Sequence, residues 1–248
     1  MEGVQQDAQA GTALHYNVSA RASTDFITDP GTAILLSIIT CGIYGLYILY
    51  KLVERRDGHF KRMAAVVDAS IAQLRAKARG REEVIAGELA QLEQIRMRMA
   101  TMSAERGAVI WLLICIFTNM VGYVILYYLL MQDYVEHDGM ESQFFTVMSS
   151  ALAKLGLSEQ AGQAVPSVPR RDFVTFLLLT IVTCGIYGIY WMYVMIKDFN
   201  DHFMAQGDQR LRQSPHDVGQ PSCLGVRHTL RGDHYNAQLR FHQRAPSG

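Results

Sequence analysis

The sequence predicts an all-α protein integral to a membrane, with three transmembrane helices, a duplicated span and a cytoplasmic helical hairpin. Three observations carry that expectation. Gly31–Tyr50, Ala108–Met131 and Phe173–Ile196 contain no Asp, Glu, Lys or Arg. As helices they are roughly 30–36 Å long, the thickness of a hydrocarbon core of about 30 Å. Of the 248 residues, 50% are hydrophobic and 19% charged, against about a quarter charged in soluble proteins. Lys and Arg also crowd between Lys51 and Arg106 and after Lys197, whereas the first thirty residues hold only Arg21 and the later loop only Lys154, Arg170 and Arg171. The positive-inside rule then sets the N-terminus outside and the C-terminus in the cytoplasm.

The elements follow in order. Residues 1–30 form a polar tail, and its start at Glu2 rather than a basic patch argues against a cleaved signal peptide. Residues 31–63 are the first membrane repeat, with TCGIYGLY at Thr40–Tyr47; residues 172–206 are the second, with TCGIYGIY at Thr183–Tyr190. The match extends without a gap through the apolar portion, so the segments read as parallel repeats about a pseudo-twofold axis. Within them Ser37, Cys41 and Gly45, and equally Thr180, Cys184 and Gly188, recur every four residues. With Gly42 and Gly185 they read as helix-packing stripes that let backbones approach in lipid. The alternative is a helix broken at those glycines to line a transport site. The absence of charge within the runs favours packing. Tyr44, Tyr47 and Tyr50, with Tyr187, Tyr190 and Tyr193, read as interfacial anchors.

Residues 64–106 are a cytoplasmic hairpin turning near Gly80, and Ile85, Leu92, Ile95, Met99 and Met102 form a heptad-like seam expected to dock a partner. Residues 107–139 are the middle span, a weak third copy expected to run the other way, with Asn119 as interhelical glue. Residues 140–171 are an outer amphipathic helix, bearing Phe144, Phe145, Met148, Leu152 and Leu155, and a linker. Residues 207–248 are a tail holding Cys223, His228, His234 and His242 at no zinc-binding spacing, and are expected to be flexible.

Chemistry is sparse. There is no phosphate-binding lysine loop, no HExxH and no G-x-S-x-G. Four cysteines make no disulfide framework. The acid–histidine pairs Asp57/His59 and Asp201/His202 are the candidates for a metal site across the pseudo-twofold axis, while alternating spans place His137 on the opposite face. The expectation is no metal, no cofactor and, at zero net charge, no nucleic acid.

The phrases TCGIYGLYILYKL and TCGIYGIYWMYVM, each leading into a polar helix, resemble a family of bacterial integral-membrane proteins described only as a domain of unknown function (DUF, number 4234). The resemblance covers the two repeats, about a third of the chain. It implies a small multi-span protein of the bacterial inner membrane and brings no catalytic residues. The function expected is a non-enzymatic accessory or scaffolding subunit, whose partners are the lipid bilayer and other membrane-protein subunits or a second copy. The alternative is a small transporter or channel.

Overall fold

Two residues with positive φ decide the architecture. In the computed structural model, which describes residues 2–118, 120–158 and 163–213, Cys41 and Gly42 have φ of 50° and 93°, and so do Cys184 and Gly185. Gly42 N donates to Ser37 O and Cys41 N to Ile38 O, the two bonds of a Schellman stop. Thr40 then starts the next helix: its hydroxyl donates to Leu36 O and accepts from Tyr44 N. Thr183 repeats both bonds, with Leu179 O and Tyr187 N. TCGIYG is a corner, and the apolar run folds back on itself there.

In chain order, α1 (Glu2–Ser19) and α2 (Arg21–Thr24) lead to the first hairpin, α3 (Pro30–Ile39) and α4 (Ile43–Ala78). The chain turns at Gly80, passes a 3-10 turn and returns as α5 (Ala86–Met102). The second hairpin is α6 (Ala108–Thr118) and α7 (Met120–Lys154); the third is α8 (Phe173–Val182) and α9 (Ile186–Gln213). Each pairs a short apolar arm with the first part of a long helix. Asp29 and Asp172 cap the short arms of the first and third, accepting from Thr32 N and Thr175 N.

The expected transmembrane helices are therefore not found among the described residues. Among the described residues no helix is long and apolar enough to cross a membrane, because each uncharged run is split at its corner into two shorter pieces. The alternating directions fail with it. Long helices α7 and α9 touch at Tyr127–Trp191 and again, further along both, at Tyr134–Phe199; α4 meets α7 at Arg56–Asp133 and then His59–His137. Contacts in the same chain order mean parallel helices, so the middle unit is a third copy running the same way. In it Thr118 donates to Ile114 O, as Thr40 and Thr183 do to Leu36 O and Leu179 O, and Gly122 is forced by Cys115 Cα, 3.0 Å from any Cβ added there.

One apolar cluster joins the three hairpins through side chains such as Ala33, Leu52, Leu126, Trp191 and Phe203. A second joins α4, α5 and α7. It contains Ile85, Leu92, Ile95 and Met99, all buried, with Met102 packed against it, so the seam expected to dock a partner is filled by the chain's own helices. The expected outer helix is likewise the continuation of α7, and Phe144, Phe145, Met148 and Leu155 belong to the same cluster, with Leu152 packed against it. Asn119, Cys223, His228, His234 and His242 lie outside the described residues.

Candidate functional site

Two features stand out, one at each end of the hairpins. At the corners the apolar surface is uncovered. Ile43 is 72% exposed, Phe117 83% and Val182 77%. Ser37 with Gly45, and Thr180 with Gly188, face inward: a Cβ on either glycine would sit 3.5 Å from its partner's side chain. These residues do pack closely, but between the two arms of one hairpin. Cys41, Gly42, Cys184 and Gly185 instead form the turns, where both cysteines are exposed.

At the first and third corners the backbone N–H groups are closed on themselves. The N–H groups of Cys41, Gly42 and Ile43 donate to carbonyls within the corner, and Tyr44 N to Thr40 Oγ1; Cys184, Gly185, Ile186 and Tyr187 do the same. Charges begin at the hairpin bases, mostly in pairs: Lys51 with Glu54, Arg106 with Asp133, Arg171 with Asp198, Lys197 with Asp201. Tyr47, Tyr128, Tyr190 and Tyr193 are exposed between the tips and that charged ring.

Deeper in the molecule the three long helices bring His59, His137 and His202 together. Each histidine stands nineteen residues after its corner threonine: Thr40 and His59, Thr118 and His137, Thr183 and His202. Parallel helices of equal reach therefore deliver them to one level. Glu141, one turn beyond His137 on α7, completes the group. All four are 0–2% exposed. His59 Nε2 is 3.4 Å from His202 Nε2; Glu141 lies 2.9 Å from His137 Nε2, 3.5 Å from His59 Nε2 and 3.7 Å from His202 Nε2. One donor atom from each falls within 4.8 Å of all the others.

Carboxylates back two of the rings. His59 Nδ1 is 3.1 Å from Asp25, and Arg62 Nη2, itself 3.0 Å from that nitrogen, donates to the same carboxylate. His202 Nδ1 is 2.9 Å from Asp138, which also accepts from Ser167 N and Val168 N. His137 lacks such a partner and stacks on Phe60, with ring centroids 3.8 Å apart. Burial pushes the His137 imidazole down to about 4 against the pull of Glu141. Burial alone pushes the Glu141 carboxyl up, but the imidazoles of His137, His59 and His202 outweigh it and hold the group well below the carboxylate range. Asp25 and Asp138 are held low in the same way, burial opposed by His59 and Arg62 in one case and by His202 and Val168 N in the other.

The candidates Asp57 and Asp201 are not in this group. Asp57 accepts from Arg56, Arg106 N and Gly107 N, fixing the start of the second hairpin, and Asp201 pairs with Lys197 at the surface. His59 and His202 do meet, and His137 joins them because the middle unit runs parallel. His137, which alternating spans set on the opposite face, joins the site together with Glu141, Asp25 and Asp138, none of them among the expected metal candidates; the threonine-to-histidine spacing is the signal that finds the third histidine. A cavity of about 410 Å³ lies between α7 and α9, lined by residues including Met131, Val135, Trp191 and Asp198, and touches none of the four clustered residues.

Residues 29–72 and again 171–213 match the profile of a family described as a domain of unknown function (DUF4234). The middle hairpin lies outside both matches. No curated protein and no solved structure matches the chain.

Proposed function

We propose that this chain is a non-enzymatic membrane-surface protein that buries its three hairpins in one leaflet without crossing the bilayer, and serves there as an accessory or scaffolding subunit. The carrying observation is the exposure of large apolar side chains, which peaks at the three corners and gives way to charge at the bases.

Three physical arguments support it. The short arms, ten or eleven residues long, reach about 15–17 Å, which is half of a hydrocarbon core of about 30 Å. Lipid offers no hydrogen bonds, so an ordinary turn is costly there; the Thr-Cys-Gly corner spends its N–H groups internally. Tyrosines then lie where an interfacial belt belongs. Because most cations at the bases are paired, attraction to the bilayer is apolar rather than electrostatic.

The test is flotation of the full chain with neutral phosphatidylcholine vesicles at low and high salt. Binding that persists in 1 M salt, and is weakened at least tenfold by Phe117→Asp together with Val182→Asp, is expected. A chain that stays with the aqueous phase, or covers its hairpins by pairing with a second copy, contradicts the proposal.

A further inference from the structure

We infer that His59, His137, His202 and Glu141 form a site for one divalent transition-metal ion of the zinc class, a structural ion that ties the three hairpin units together. This rests on the buried cluster and is independent of the membrane reading.

The donor set fits. Four ligands about 2.1 Å from a tetrahedral ion stand about 3.4 Å from one another. The separations among the Nε2 atoms and the Glu141 oxygens are 2.9 to 3.7 Å for four of the pairs, and the whole donor set falls within 4.8 Å, so an ion is accommodated by rotamer adjustments that draw the wider pairs together. Imidazole donors favour zinc and its neighbours over magnesium or calcium. The carboxylate at His202 supplies a second argument. A Nδ1–H donated to Asp138 turns the His202 Nε2 lone pair inward, toward the other rings and Glu141, whereas His59 Nδ1 lies between Asp25, which only accepts, and Arg62, which only donates. A lone pair and a carboxylate converging in a dry interior are stabilised by a cation between them. Four protein donors at 0–2% exposure also leave no open position for a substrate, which marks a structural site.

Each unit contributes: α4 gives His59, α7 gives His137 and Glu141, α9 gives His202. One ion thus cross-links helices whose ligands are as far apart as residues 59 and 202.

The experiment uses the full chain, stripped with a chelator and titrated with Co2+ and Zn2+, with bound metal counted by mass spectrometry and Co2+ geometry read from its visible absorption. One ion per chain with a four-coordinate spectrum is expected, lost in Glu141→Gln and in His137→Gln. Asp25→Asn and Asp138→Asn should each weaken binding about 10–100-fold while the helix content is kept. Where a ligand variant fails to fold, the wild-type chain still decides: Zn2+ must raise its Tm and the chelator lower it. No stoichiometric ion, a six-coordinate spectrum, or uptake unchanged in both ligand variants, as binding by the tail histidines would give, overturns the inference.

Discussion

His137 shows what a single side chain contributes. It is fully buried, stacked on Phe60, and faces Glu141 from its own helix, His59 from α4 and His202 from α9, with Arg62 and Asp25 behind His59. Its folded value near 4 lies below the ordinary 6.5, so the folded state binds fewer protons. The stability it confers is complete above about 6.5 and is lost as pH falls toward 4, by up to roughly 3 kcal/mol. The depressed carboxylates Asp25, Asp138 and Glu141 act in the same direction at lower pH. Denaturation of the chelator-treated chain should show Tm falling between pH 6.5 and 4; a flat profile would contradict this account of the cluster. The corner glycines behave differently. A Cβ at Gly42 or Gly185 meets nothing within 4 Å, so Gly→Ala costs only the strain of positive φ, about 1–2 kcal/mol. Gly122→Ala collides with Cys115 Cα and Thr118 Oγ1 and should cost more in urea unfolding than either.

At the scale of elements, the corner threonine serves two helices, bonding back to one and capping the other. Thr40→Val and Thr183→Val keep the shape and remove the cap, so each should cost about 1 kcal/mol, measured by urea denaturation. No effect would mean that packing alone sets the corner. Much here was legible in the sequence: the duplication, the charge-free runs and the turn at Gly80. The direction of the chain after TCGIYG was not. A run of twenty apolar residues satisfies a hydropathy rule whether it continues straight or reverses, and cysteine is rare with positive φ, so Cys41 reads as one more small packing residue. From that one turn came the errors in topology. Straight spans alternate direction and send His137 away from His59 and His202; hairpins restart each long helix from the same end and gather all three. The seam from Ile85 to Met99 shows the same limit: its periodicity is plain, but α4 and α7 cover it, and only the fold says so.

Across the whole molecule, three parallel hairpin units share a buried polar centre at one end and an uncovered apolar end at the other. The units hold one another through the cluster and through Arg56, which reaches from α4 across to Asp133 on α7, while Arg106 with Asp133 and Arg171 with Asp198 each close the base of a single hairpin. Corner positions lie roughly 24 Å from the histidines along each long helix. Asp133→Ala takes from Arg56 one of the two carboxylates that face it, leaving Asp57 and the Met102 and Ala104 carbonyls, and takes from Arg106 its partner, so it should destabilise the chain by about 1–3 kcal/mol in urea unfolding. The exposed thiols give the most direct test of where the tips lie. Cys41 and Cys184 are exposed at the first and third corners, while Cys115 is buried. The measurement is labelling of the Cys223→Ser chain by a membrane-impermeant maleimide, with and without neutral vesicles. Tips held in the leaflet predict fast labelling of both cysteines without vesicles and protection of both in their presence, from either side of the membrane. Equal labelling in the two conditions would contradict the membrane-surface account.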